Sequence, residues 1–151
     1  MSVGIGYDSH RLAEGRRLVL GGVEIDYERG LAGHSDADVL THAVIDALLG
    51  AAGLGDIGTF FPDDDPRWRD ADSLDLLRTV VGMVSGRIVN IDATIVCEAP
   101  RLAPHRAAME RLLAEATSAR VVVKATTNEG MGWVGRGEGI ACIAVASVES
   151  E

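Results

Sequence analysis

The chain has 151 residues, with 14 Lys plus Arg against 23 Asp plus Glu, for a formal net charge of −9. That balance argues against a protein that coats nucleic acid or an anionic membrane, since both call for a basic face. Phosphate ligands stay open where metal ions and a few local cations supply positive charge. At 47% hydrophobic and 25% charged residues, the composition is that of one globular domain spanning 1–151, and with aromatics at only 4% the core must come from Ala, Val, Leu and Ile.

Taken in chain order, residues 3–7 read as a short strand, and residues 18–20 and 23–25, split by Gly21-Gly22, as a hairpin or bent strand. Val39, Leu40, Ala43, Val44, Ala47, Leu48, Ala51 and Ala52 recur at helical spacing. A helix is therefore expected over 35–52, with Ser35 as N-cap, Asp38 at capping-box distance, and Gly53 and Gly55 ending it. Asp72 or Ser73 starts a second helix with Leu74, Leu77, Val80, Val81 and Val84 inward. Residues 89–96 alternate as a strand, with Val89, Ile91, Ala93 and Ile95 on one face. A third helix is expected over 104–116, and strands over 121–125 and 140–148.

Strands and helices interleave, which implies an α/β fold of the α+β type: one mixed sheet of four or five strands with about three helices on one face. The segment 140–146 is apolar at every position, so that strand should be buried on both faces. Three helices cover only one face, and the simplest cover for the other is another copy of the chain. Cys97 and Cys142 sit in apolar runs and read as reduced core cysteines. The N-terminus shows no basic-then-apolar leader, and no stretch approaches the ~18 apolar residues of a membrane span. The expectation is a cytoplasmic protein that engages neither nucleic acid nor membrane.

Four constellations carry chemistry. In Asp8-Ser9-His10, residues i and i+2 of an extended chain share a side, so a carboxylate and an imidazole could chelate one divalent ion or simply hydrogen-bond at the surface. In the segment from Gly33 to His42, the residues Asp38, His42 and Asp46 stand four apart on a helix that has no Lys, Glu or Arg. That pattern suits a site better than a solvated stripe. His42 with Asp8 and His10 would give three N/O ligands and an open fourth position, the arrangement of a working zinc. Gly55-Asp56-Ile57-Gly58 and the proline-bounded run Phe61-Pro62-Asp63-Asp64-Asp65-Pro66 are either solvated loops or holders of sugar hydroxyls or a cation. Finally, Lys124-Ala125-Thr126-Thr127-Asn128-Glu129-Gly130 leads into a glycine-rich loop with Arg136, an anion cradle that is no Walker motif.

Together and in this order, these segments resemble the 2-C-methyl-D-erythritol 2,4-cyclodiphosphate synthases of the non-mevalonate isoprenoid pathway. The likeness runs nearly end to end, through Gly4-Ile5-Gly6-Tyr7-Asp8-Ser9-His10-Arg11, His34-Ser35-Asp36-Ala37-Asp38, Asp46-Ala47-Leu48-Leu49-Gly50, Gly55-Asp56-Ile57-Gly58, Ala71-Asp72-Ser73 and the block 124–139. The resemblance implies a homotrimer with active sites between subunits. In it the 2-phosphate of 4-diphosphocytidyl-methylerythritol 2-phosphate attacks the β-phosphorus, and CMP leaves. It implies Zn2+ on Asp8, His10 and His42, and a second cation, Mg2+ or Mn2+, on Glu129. His34 and Thr127 are implied as catalytic groups that stabilise the transition state. Substrate contacts are implied from Asp8, Ser9, His10, His34 and Ser35, and from Asp56, Ile57, Gly58, Phe61, Pro62, Asp63, Asp64 and Asp65 around the methylerythritol unit. Cys97, Glu98, Ala99, Pro100, Arg101, Leu102, Ala103 and Thr126 are implied on the cytidine side, which the neighbouring subunit supplies. Thr127, Asn128, Glu129, Trp133 and Arg136 complete the implied set. A metal-dependent phosphodiesterase and a non-catalytic trimer that binds a nucleotide or isoprenoid diphosphate are the competing functions.

Overall fold

A computed structural model describes residues 1–151. The chain runs β1 (Ser2–Glu14), β2 (Leu18–Leu20), β3 (Val23–Ile25), β4 (Arg29–Leu31), α1 (Val39–Ala51), α2 (Ile57–Phe60) and a 3-10 turn at Pro66–Trp68. It continues through α3 (Ser73–Met83), β5 (Arg87–Val96), α4 (Arg106–Thr117), β6 (Arg120–Thr126), α5 (Gly132–Gly135) and β7 (Gly139–Glu149). Five strands form one mixed sheet in the order β4-β1-β7-β5-β6, and β2 pairs with β3 as a separate hairpin. Only β5 and β6 run parallel; the other pairs are antiparallel.

The central contact of the fold is α1 on β1. Side chains on alternate residues of a strand share a face, and on β1 the inward face reads Gly4, Gly6, Asp8, His10. A Cβ on Gly4 would lie 2.0 Å from the Ala47 carbonyl oxygen, and one on Gly6 would lie 2.0 Å from that of Ala43. The two glycines therefore let the helix backbone rest directly on the strand, with alanines as its contact residues. The core spreads from this contact through Leu40, Ile45, Leu48 and Leu49 of α1 to Leu77, Met109 and Leu113 of the other long helices and to Ile91 and Ile95 of the sheet.

Several expectations need correction. The first strand is 13 residues long, because its polar stretch from Asp8 to Arg11 still pairs with β7. Helix α1 begins at Val39, and its N-cap is Asp38, not Ser35; the Asp38 side chain accepts from Thr41 N. Val89 leaves the buried face of its strand, since a register shift between Ile88 and Asn90 puts Ile88 inward instead. Besides the three long helices there are two of four residues each, α2 and α5. Strand β7 is not buried on both faces within one chain: Ile143 is 42% and Val145 39% exposed. Across the ladder Ile143 faces Tyr7 and Val145 faces Ile5. With Val3 these residues make an apolar strip on the sheet face away from α1, and Ile5 is 70% exposed.

Candidate metal and phosphate site

Three side chains converge where β1 emerges from under α1. Asp8 and His10 project from the inward face of the strand, two residues beyond the glycine pair, and His42 comes from the first turn of the helix. Asp8 Oδ2 lies 2.9 Å from His10 Nε2 and 3.3 Å from His42 Nδ1. Asp8 Oδ2 and His10 Nε2 are buried, and neither has a hydrogen-bond partner in usable geometry. The ligand atoms of Asp8, His10 and His42 lie within 4.8 Å of one another. Unpaired buried lone pairs aimed at a shared point are costly in a protein interior unless something occupies that point. A divalent ion fits the set: one carboxylate and two imidazoles are suitable zinc ligands, and three protein donors leave a fourth position open.

Electrostatics agrees. Burial pushes the Asp8 carboxyl up, but the imidazoles of His10 and His42 outweigh it and hold the group below its ordinary value. Burial pulls His42 down, yet the Asp8 carboxylate, with Asp38 and Asp36 behind it, raises it above the ordinary imidazole value. The corner is therefore electronegative and attracts a cation.

The loop before α1 is strongly tied. Asp38 is fully buried and accepts from Gly21 N, Gly22 N, Thr41 N and the Thr41 hydroxyl at 2.8–2.9 Å, which pins the β2–β3 hairpin to the helix start. Arg16 Nε donates to the Leu31 carbonyl at 2.9 Å, and its Nη2 donates to Gly33 and Ser35 carbonyls at 3.3 and 3.0 Å. His34 Nε2 lies 3.0 Å from the Asp65 carbonyl oxygen.

A cavity of about 330 Å³ opens beside the three ligands. Of the residues expected at the site, it gathers Asp8, His10, His34, Ser35, His42, Ile57, Gly58, Phe61, Pro62 and Asp63 on its walls. Asp56 stands just outside as the N-cap of α2, where its carboxylate accepts from Thr59. Asp64 is exposed, and the Asp65 side chain pairs with Arg67 at 2.6 Å. Ser9 points to the opposite face of β1, beside Trp133 and Glu138.

The remaining expected residues form a second group that does not line this cavity. Cys97 N donates to Thr126 O at 2.9 Å, joining the segment after β5 to the end of β6. The Glu98 carboxylate accepts from Asn128 N at 3.2 Å and Gly130 N at 2.9 Å and so holds the turn between them. Glu129 sits at the top of that turn with φ 54, exposed, its backbone N–H on the Thr127 hydroxyl. Ala99 and Arg101 are exposed, Pro100 is half-buried, and Leu102 is in the core ahead of the turn at Ala103–His105. Arg136 is paired with Glu138 at 2.6 Å. Burial pushes the Cys97 thiol up to about 11 and Cys142 higher still, so neither is a ready nucleophile.

Sequence reasoning missed Trp68 and Leu76, which also line the cavity. Trp68 stacks edge-on to Phe61 with ring centres 4.9 Å apart; an aromatic in a mostly non-aromatic chain was the available signal. It also missed the roles of Asp36 and Ser73 behind His42.

Residues 1–149 match the model of the YgbB family. The 2-C-methyl-D-erythritol 2,4-cyclodiphosphate synthase of Gloeobacter violaceus is 58% identical over 155 residues, covering 99% of this chain and 95% of the relative. That of Moorella thermoacetica is 59% identical, covering 96% and 93%. Among solved structures, a 2C-methyl-D-erythritol-2,4-cyclodiphosphate synthase in a CDP-bound form superposes with a TM-score of 0.88 at 37% identity, covering 97% and 99%. The bifunctional IspDF of Campylobacter jejuni superposes at 0.92 and 40% identity; this chain spans 96% of itself and 41% of that longer protein.

Proposed function

The chain belongs to the YgbB family, and from that premise we propose how its residues carry out the cyclodiphosphate synthase reaction. It converts 4-diphosphocytidyl-2-C-methyl-D-erythritol 2-phosphate to 2-C-methyl-D-erythritol 2,4-cyclodiphosphate and CMP. The observation that carries the assignment of roles is the meeting of Asp8, His10 and His42 on the wall of a cavity that also holds His34, Ser35 and Asp63.

Nucleophile and leaving group belong to one molecule, so the protein's main task is to fold the substrate back on itself. Positioning of this kind supplies several kcal/mol of a barrier, to order of magnitude. Asp8, His10 and His42 hold Zn2+, and Glu129 holds a second dication, Mg2+ or Mn2+; when bound, these ions supply the positive charge that a chain of net charge −9 lacks. His34, oriented by the Asp65 carbonyl, presents its ring to the reacting phosphates. Asp63, with backbone at Ile57 and Gly58, receives the methylerythritol hydroxyls. Thr127 aims a hydroxyl at the β-phosphate, and the segment from Cys97 to Ala103 with Thr126 receives the cytidine. No protein nucleophile takes part, in keeping with the raised thiol pKa values.

The separation of this second group from the metal cavity within one chain supports a site shared between subunits. So does the apolar strip of Val3, Ile5, Tyr7, Ile143 and Val145, a surface that a water-exposed sheet face does not otherwise carry. A homotrimer covers it, and sedimentation or light scattering is expected to give about three times the 15.9 kDa chain mass. A stable monomer at micromolar concentration overturns the shared site.

The activity test is turnover of the cytidyl substrate with and without chelator, with product analysis. A cyclic diphosphate plus CMP, lost on chelation and restored by zinc, is expected. A linear hydrolysis product indicates a phosphodiesterase instead, and tight substrate binding without turnover indicates a binding trimer.

A further inference from the structure

His42 has two ring nitrogens, and only Nδ1 faces Asp8 and the metal corner. Its Nε2 points the other way, 2.8 Å from the Ser73 hydroxyl and 3.2 Å from that of Ser35. The Ser73 hydroxyl in turn meets Asp36 Oδ1, while the Ser73 backbone N–H donates to Asp36 Oδ2 at 2.9 Å. Asp36 thus grips Ser73 by both its N–H and its O–H. Asp36 N donates to the Ala71 carbonyl at 3.1 Å, so the two segments are locked face to face. Ser73 is fully buried at the first position of α3, a location where a free hydroxyl would be costly.

We propose that Asp36 and Ser73 are positioning residues for the metal, a relay in which His42 Nε2–H donates to Ser73 and Ser73 donates to Asp36. The donor direction follows from the chemistry. A ligating Nδ1 must offer a lone pair, so the ring's proton resides on Nε2 and needs an acceptor. Ser73 accepts it and passes its own hydroxyl proton to a carboxylate that cannot donate back. The chain fixes the tautomer and the ring plane and makes the ligating nitrogen more basic. It also connects the metal ligand on α1 to the first turn of α3, an element that holds none of the three metal-ligating residues.

This inference rests on the assignment of Asp8, His10 and His42 as zinc ligands, and the test separates the two. Zinc affinity is measured by equilibrium competition with a chromophoric chelator for the full-length protein and for Ser73→Ala, Asp36→Asn and the double variant. The wild type is expected to bind zinc tightly, Ser73→Ala about 10- to 100-fold more weakly, and Asp36→Asn more weakly by a smaller factor. Because Asp36 acts through Ser73, the double variant is expected to be no weaker than Ser73→Ala; effects that multiply overturn the relay, since they describe independent influences. Cobalt(II) in place of zinc gives a visible spectrum set by ligand geometry, and Ser73→Ala is expected to alter it. Wild-type affinity or an unaltered cobalt spectrum in Ser73→Ala overturns the proposal. Should Ser73→Ala fail to fold, as judged by its far-UV spectrum, Asp36→Asn decides alone: wild-type zinc affinity in it overturns the relay. A wild type that takes up no zinc overturns the ligand assignment and the relay with it.

Discussion

Asp8, His10 and His42 sit where a strand passes under a helix, and their donor atoms lie within 4.8 Å of one another. Thr126, Thr127 and Glu129 stand exposed on a turn that two backbone bonds to Glu98 hold to the body. The first group is preset by packing: at Gly4 and Gly6 the helix backbone already rests on the strand and can come no closer. The second is exposed, and the Thr126 and Thr127 hydroxyls make only local bonds within the turn, to Thr127 O and from Glu129 N. A site of this build presents its three cavity donors in fixed geometry and leaves the exposed turn to be ordered by what binds there. The contrast can be broken at either end.

The largest effect is expected at the glycine contact. Gly6→Val places a branched side chain where even a Cβ would lie 2.0 Å from the Ala43 carbonyl oxygen and 2.7 Å from Ala47 N. Both are helix backbone and cannot yield by rotating, so α1 must lift. Destabilisation of about 3 kcal/mol is expected from overpacking, together with loss of zinc, because His42 moves away from Asp8 and His10. Thermal melting and elemental analysis check it. A folded variant with one zinc per chain would show that the packing does not set the metal geometry.

The opposite end is tested by Glu129→Gln, which keeps size and removes charge. Zinc content and melting temperature are expected to stay as in the wild type, since Glu129 is exposed and its side chain holds no part of the fold. Turnover at limiting magnesium is expected to fall on the order of 10²-fold, with the magnesium requirement shifted upward. Steady-state kinetics across a magnesium titration decides; a wild-type profile removes Glu129 as the second ligand.

The same contrast explains what the sequence disclosed. Asp8 and His10, two residues apart on a strand, already share a face in the sequence; that Gly4 and Gly6 open this face to a helix shows only in the structure. Of Asp38, His42 and Asp46, spaced four apart, only His42 reaches the cavity: Asp38 caps the helix and Asp46 accepts from Ile57 N at 2.7 Å. Both spacings are local periodicities. Ser35, Asp36 and Asp38 all suit a cap in sequence; what selects Asp38 is the Gly21-Gly22 pair, 17 and 16 residues earlier, whose N–H groups it also accepts. Ser73 behind His42 was invisible for the same reason: its partner lies 31 residues away. The length of β1 was hidden because Asp8, His10 and Arg11 break the apolar pattern, although pairing with β7 runs straight through them. The exposure of Ile143 and Val145 was legible only as an apolar run, which does not distinguish burial within a chain from a face left for another copy.

The smallest effect expected is one of pH, and its sign separates the apo and zinc-loaded forms. In the metal-free protein His42 is held above its ordinary value near 6.5, mainly by Asp8 against the opposing effect of burial. A group whose pKa is raised on folding adds stability that is fully present below its unfolded value and is lost as pH rises through the folded one. At this group the apo protein therefore gains stability as pH falls from 8 to 6. Asp8 is held below its ordinary value and stays a carboxylate across that window; its contribution is lost only in stronger acid. Zinc reverses the trend, because it needs His42 neutral: binding expels the proton, and affinity falls toward about tenfold per pH unit once His42 is protonated. The gap between the melting temperatures with and without zinc is thus expected to narrow steadily from pH 8 to pH 6. Melting curves at three pH values, with and without a fixed excess of zinc, measure that gap. A gap that stays constant means that His42 carries no proton to release in the zinc-free protein over this range, and overturns its raised pKa.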